Sequence, residues 1–251
     1  MLDYQTVDQL REMRLGAMKK EFLRQTELPA MLGLSFEERF AMIVQAEWNH
    51  RQDNKQARLV KCANLLCSSA SLEDIDFDTD RGLSRSSIAS LSSCNWIRNG
   101  QFLFLTGASG VGKSWIASAF AAEACRRRYA VKCFRVPRLM DELKFARLDN
   151  TWNKCVDAIK KMDLVVLDDF ALDRFDAQQA RDFLELVDDR IRYHRSLIIT
   201  AQRPVSQWHE LFEDPTVADA IMDRLANNSY RIELSGQSMR TKQRPFLEGE
   251  V

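Results

Sequence analysis

Gly107-Ala-Ser-Gly-Val-Gly112-Lys113-Ser114 constrains this chain more than any other stretch. It matches Gly-x4-Gly-Lys-Ser at every defined position. An apolar run precedes it and an alanine-rich helical pattern follows, which is the strand–loop–helix setting the motif requires. Glycines let the backbone bend until its amides face an anion, and the start of a helix adds a favourable dipole. The expected phosphate-binding set is Gly107, Ala108, Ser109, Gly110, Val111, Gly112, Lys113 and Ser114, with Trp115 next to them. Lys113 suits the β- and γ-phosphates of ATP, and the Ser114 hydroxyl suits a magnesium ion.

A second motif lies downstream. Leu164-Val-Val-Leu-Asp168-Asp169 is an apolar run ending in two carboxylates, the pattern of a strand buried on both faces. At the C-terminal edge of a parallel sheet, Asp168 would meet the magnesium. Asp169 suits a water-activating base, with a plain surface acid as the alternative. Ser196-Leu-Ile-Ile-Thr200-Ala-Gln202 is a further buried strand whose end faces the same crevice, so Thr200 and Gln202 are candidates for contact with the γ-phosphate or water.

From Asn99 onward, strands and helices alternate. Strands are expected over 101–106, 131–136, 164–168, 196–200 and 230–234, and helices over 113–128, 137–148, 177–195, 204–211 and 215–226. This predicts an α/β fold, a parallel sheet with helices on both faces. Residues 1–68 read instead as a small all-helical domain. Thr6-x-x-Gln9 and Ser35-x-x-Glu38 are candidate capping boxes, Pro29 and Gly33 are breaks, and the first helix is expected to reach about Gln25. Phe40, Ile43, Val44 and Trp48 are expected on one helix face. Residues 69–98, acidic and then serine-rich, read as a connector within a second domain of 69–251.

Charge excludes little globally, since 36 basic residues balance 36 acidic ones. Locally, 126–154 holds nine Lys or Arg against three acids. Phosphate contact needs such an excess, so Arg135, Arg138, Lys144 and Arg147 are candidate contacts to the DNA backbone, a solvated amphipathic helix being the alternative. Six cysteines without Cys-x-x-Cys spacing argue against zinc and for free thiols in a cytoplasmic setting. No secretory signal and no membrane-spanning apolar run are expected.

Taken together, these motifs resemble the AAA+ ATPases of the branch containing the IS21-type transposition helper IstB and the helicase loader DnaC. The resemblance covers nearly the whole chain and is strongest to the IstB type. Lys55-Gln-Ala-Arg58, Leu105–Ser114, Ile198–Trp208, Met222–Ser229 and Gly236–Arg240 carry it. It implies a P-loop NTPase fold with a reduced C-terminal lid and Mg-dependent ATP hydrolysis. It further implies head-to-tail homo-oligomers with ATP at each interface. Arg224 falls at the position of the arginine finger, whose guanidinium would neutralise charge on a neighbour's ATP; the alternative is a helix arginine paired with Asp223 or Glu233. Arg240 falls where the family can sense nucleotide. Two departures concern hydrolysis. The family usually carries Asp-Glu where this chain has Asp168-Asp169, and Gln202 stands where Asn, Ser or Thr is common.

For an IstB-type protein the implied partners are double-stranded DNA, read by backbone and shape, and a transposase of IstA type. Two other readings stay open. A helicase loader would bind a replicative helicase. A small-molecule kinase would be a monomer with an arginine-bearing lid and would yield a phosphorylated product.

Overall fold

In a computed structural model the residues described are 4–79 and 81–239. The chain divides into two compact units, Met1–Arg58 and Leu59–Val251.

The first unit is helical. Helices α1 (Tyr4–Glu12) and α2 (Gly16–Glu27) replace the single helix expected to Gln25. Arg14, at φ 58°, causes the break. The Leu15 amide reaches back to Leu10 O and the Arg14 amide to Arg11 O, a left-handed helix stop in which glycine is the commoner residue. Thr6 lies inside α1 rather than ahead of it. A 3-10 turn, Pro29–Gly33, leads to α3 (Phe36–Ala63). Here the Ser35 box forms as expected: Glu38 N donates to Ser35 Oγ, and Ser35 N donates to Glu38 Oε2. The last turns of α3 belong to the second unit, because Leu59, Val60 and buried Ala63 pack on its core.

The second unit is built on five parallel strands: β1 (Phe102–Gly107), β2 (Val131–Arg135), β3 (Leu164–Phe170), β4 (Ser196–Ala201) and β5 (Ser229–Leu234). Their order is β2-β3-β4-β1-β5. Parallel neighbours need crossovers, and helices α6 (Lys113–Arg126), α7 (Val136–Leu148), α9 (Ala177–Arg192) and α10 (Pro215–Ala226) supply them. Side chains alternate between two cores. Phe102, Phe104, Val165, Leu167, Leu197 and Ile199 face α7, α9 and α10. Leu103, Leu105, Leu164, Val166 and Ile198 face α6. This is the expected parallel sheet with both faces covered.

Helix α8 and the Arg190 network were not anticipated, and the connector takes a definite place in the second unit. Helix α8 (Trp152–Lys160) fills the approach to β3. The connector is part of the fold: α4 (Arg85–Ser92) and α5 (Asn95–Arg98) bury Ile88, Leu91, Trp96 and Ile97 in the α6-side core. At the N-terminal end of the sheet, buried Arg190 donates to the carbonyls of Ile159, Asp163 and Ser196, and burial pushes its pKa down to about 9. Among the described residues, no helix is long and apolar enough to cross a membrane.

Candidate nucleotide site

The phosphate loop leaves β1 at Gly107 and enters α6 at Lys113. Gly107 has φ 140°, and a Cβ there would stand 2.0 Å from Leu234 O on neighbouring β5. Only glycine lets β1 and β5 stay in register at this point. Lys113 is buried, at 7% exposure. Its ammonium donates to Gly107 O at 2.8 Å and Ala108 O at 2.7 Å, so the lysine is already drawn across the loop.

Behind the loop, Asp168 is 1% exposed. Ser114 Oγ donates to its Oδ1 at 2.7 Å, and Thr200 Oγ1 donates to the same oxygen at 2.5 Å. Thr200 Oγ1 in turn accepts from Asp169 N at 3.2 Å. Strands β3 and β4 are neighbours, so one hydroxyl fixes both carboxylate residues. The donor set fits magnesium. At the usual magnesium–oxygen distance of about 2.0–2.1 Å, two adjacent octahedral ligands lie about 2.9 Å apart, close to the Ser114–Asp168 spacing.

Asp169 departs from regular strand geometry. Its φ is 58°, Ala171 follows at 68°, and the β3–β4 register shifts between Leu167 and Phe170. Asp tolerates the left-handed region better than most residues, whereas a longer Glu has no local hydrogen bond to offer there. The short second acid is therefore matched to its backbone. The turn leaves the Asp169 carboxylate partly exposed, 3.9 Å from Arg135 Nε at the end of β2.

One cavity collects Ser109, Gly110, Gly112, Lys113, Ser114, Trp115, Asp169 and Gln202. Gly107, Ala108 and Val111 supply loop backbone, while the Val111 side chain is buried in the core. Asp168 and Thr200 stand behind the cavity. Cys67, Asp74, Asp76, Arg81 and Met239 line it as well. They come from the connector and from the chain after β5, and nothing in their spacing marks them in the sequence.

Other candidates lie elsewhere. Arg224 does not line this cavity. Its Nε donates to Asp188 on α9 and its Nη1 to Ala220 O, so neither Asp223 nor Glu233 is its partner. Arg138 is exposed, 3.6 Å from Glu142, and Lys144 is exposed. Arg147 stacks 3.6 Å over Trp152 and bridges to Asp182 at 2.5 Å. Arg240 lies outside the described residues.

Residues 8–246 match the family model described as IstB-like ATP binding protein. The chain belongs to this family. It is 40% identical to y4pL of Sinorhizobium fredii, named as an insertion sequence ATP-binding protein, over 97% of this chain and 99% of that one. It is 39% identical to a protein of Pseudomonas fluorescens named as the ATP-binding protein of insertion sequence IS1162, over 82% of this chain and 89% of that one. Among solved structures, DnaI superposes with a TM-score of 0.59 at 27% identity, over 66% of this chain and 92% of DnaI. The DnaC helicase loader gives 0.54 at 18% identity, over 66% of this chain and 97% of DnaC, which shows the fold alone. The fold is that of the P-loop AAA+ proteins, and the family is one of ATP-binding proteins of insertion sequences.

Proposed function

We propose that this protein is a Mg-dependent ATPase that assembles head to tail on duplex DNA and recruits or stimulates its partner transposase. The observation that carries the ATPase reading is the bonded line Ser114–Asp168–Thr200, with Asp169 set beside it on a left-handed turn. Lys113 and the loop amides bind the phosphates. Ser114 and Asp168 hold magnesium, which when bound neutralises phosphate charge. Asp169 accepts a proton from the attacking water, so ATP and water give ADP and phosphate. Gln202, on the cavity wall, orients that water, and Thr200 holds both acids.

Arg224 acts in trans. Its present partner, Asp188, is a partly exposed surface group, and a surface pair of this kind is worth roughly 0–1 kcal/mol. A neighbour's triphosphate outbids it. DNA meets Arg135, Arg138, Lys144 and Arg147 through its phosphates, and Arg147 also orders the α7–α8 corner. The two domains of the proposal are the helical region of 1–68 and the ATPase region of 69–251, and the protein works in the cytoplasm.

The test is subunit mixing. Arg224→Ala subunits keep a sound phosphate site, and Lys113→Ala subunits keep a sound finger. Each alone should lose turnover by about 10³-fold or more. Their mixture should recover turnover, and duplex DNA with ATP should enlarge the parent assembly. A monomer whose turnover ignores Arg224 would refute the mechanism. A second reading, a helicase loader, is the one that the motif resemblance to the branch containing DnaC leaves open. Capture of the host replicative helicase, with no response to duplex DNA or transposase, would favour it.

A further inference from the structure

Arg81 lies in the connector, outside every recognised motif, and is 4% exposed. Its Nη1 donates to Val111 O of the phosphate loop at 3.2 Å, and its Nη2 donates to Asp76 O. Its Nε is buried without a partner. Among the described residues no carboxylate lies within ion-pair distance of it. The side chain abuts the loop itself: a Cβ on Gly112, whose φ is 101°, would stand 3.0 Å from Arg81 Nη1. Arg81 also lines the cavity that holds Lys113 and Ser114. Its position is fixed from the other side, because Ser235 N, just after β5, donates to Arg81 O at 3.0 Å.

A buried cation is expensive unless it is paired and hydrogen-bonded. Arg190 shows a structural solution in this same protein: its Nε is likewise unpartnered, but its guanidinium has three carbonyls and Asp189 is close enough to favour its charge. Arg81 has two carbonyls. It stands beside a second buried cation, Lys113, at the positive end of α6. Asp74 and Asp76 share the cavity wall, but the Asp76 carboxylate accepts from Thr79 and from the amides of Asp78 and Thr79. What Arg81 lacks is a counter-ion of its own, and its guanidinium lies against the Val111–Gly112 turn of the loop whose amides and helix start favour an anion.

The geometry points to Arg81 as a polyphosphate-binding residue of the nucleotide site, one that props the Val111–Gly112 turn and supplies a second cation to the phosphates of ATP. This rests on the ATP reading above, and the experiment separates the two. The probes are ATP and inorganic tripolyphosphate, which carries the charge without the base. Arg81→Gln removes the charge and keeps a donor. Arg81→Met fills the space and serves where the Gln variant does not fold, as judged by circular dichroism. Arg81→Lys keeps the charge and gives up the two-carbonyl fork.

The neutral variants should bind both probes about tenfold or more weakly, the scale of one lost charge-assisted hydrogen bond, and the Lys variant should stay within about threefold of the parent. Parent-like affinity in the neutral variants overturns the assignment. So does an equal loss in the Lys and neutral variants, which would mean that Arg81 only shapes the loop. If Lys113→Ala abolishes ATP binding while the neutral Arg81 variants do not, the ATP reading stands and this inference falls. If the parent itself binds neither probe, the ATP reading falls and this one with it.

Discussion

At the C-terminal edge of the sheet polar groups are buried, and along α3 apolar groups are exposed. Asp168 and Thr200 are each 1% exposed, and their oxygens are hydrogen-bonded to one another. On α3, Phe36, Phe40, Val44 and Trp48 recur every four residues and are 75%, 50%, 45% and 56% exposed. Phe36 and Phe40 stack with ring centroids 5.9 Å apart, yet the ridge as a whole faces outward. A buried polar group costs free energy unless it is bonded, so the sheet edge must be finished by the chain itself. An apolar side chain exposed in both folded and unfolded chains adds little to folding. The first region is thus organised before any ligand arrives, and the second spends its apolar surface on something other than its own stability. Where α3 does hold its unit together it uses a carboxylate. Buried Glu47 accepts from the amides of Ala17 and Met18, at the start of α2, and from Arg51.

The largest effect that would sharpen this contrast belongs to the sheet edge. Asp169→Asn should lower turnover by about 10²–10⁴-fold, the usual contribution of a positioned base. ATP binding should persist, because the phosphates are held by Lys113 and the loop. Phosphate release and nucleotide affinity, measured side by side, check this; equal turnover in variant and parent would return Asp169 to a plain acid at the cavity wall. Thr200→Val keeps shape and removes one hydroxyl. Asp168 then loses a donor inside the protein, and Asp169 N loses its acceptor. Urea unfolding without nucleotide should show a loss of about 1–3 kcal/mol. No loss would mean that the sheet edge is not pre-bonded in the way its distances indicate.

Glu47 tests the helical unit by pH. Burial raises its pKa, but the bonds from Arg51, Met18 and Ala17 outweigh this and hold the carboxyl below its ordinary value of 4.5. The folded pKa is the lower one, so the stabilisation is complete above pH 4.5 and is lost as pH falls further. The protection of α2 amides, relative to their intrinsic exchange rate at each pH, should fall in that acid range. Glu47→Ala should lower it already at neutral pH, by the equivalent of about 1–2 kcal/mol, and remove the acid step. Exchange in β3 and β4 should not respond. A variant that loosens the sheet equally would erase the distinction between the two units.

What the sequence revealed follows the range of each signal. The phosphate loop, the apolar run into Asp168 and the strand into Thr200 are contiguous, and each was legible with its neighbours. The Ser35–Glu38 box is local, and it forms. The failures are long-range or turn on one backbone angle. Arg14 stops a helix without being glycine, so nothing in its side chain marks the break. Asp188 is far in sequence from Arg224, and only the packing of α9 on α10 makes them partners. Arg81 and Met239 reach the cavity because β5 lies beside β1 with Leu234 opposite Gly107. Helix α8 has Trp152, Val156 and Ile159 at helical spacing, but polar and basic residues separate them in a short stretch.

The smallest expected effect tests the exposed ridge. Phe40→Ser and Trp48→Gln, made singly and together, should change the chain's own stability by no more than about 0.5 kcal/mol each, as for other surface substitutions. The reason lies in the reference state. About half of each side chain's surface meets water when folded, so only the remainder can contribute to folding. Even that part is shared with neighbours along the same helix, which stay close in the unfolded ensemble. Deleting a buried Phe or Trp, by contrast, costs about 3–5 kcal/mol. Trp208, fully buried against Phe104 and Phe170, is the internal control, and Trp208→Ala should fall in that larger range. Urea midpoints at constant m-value separate the two classes. A loss of more than about 2 kcal/mol at Trp48 would place it on the buried side of that scale. The ridge would then be part of a core, and the contrast between the finished sheet edge and the open face of α3 would not hold.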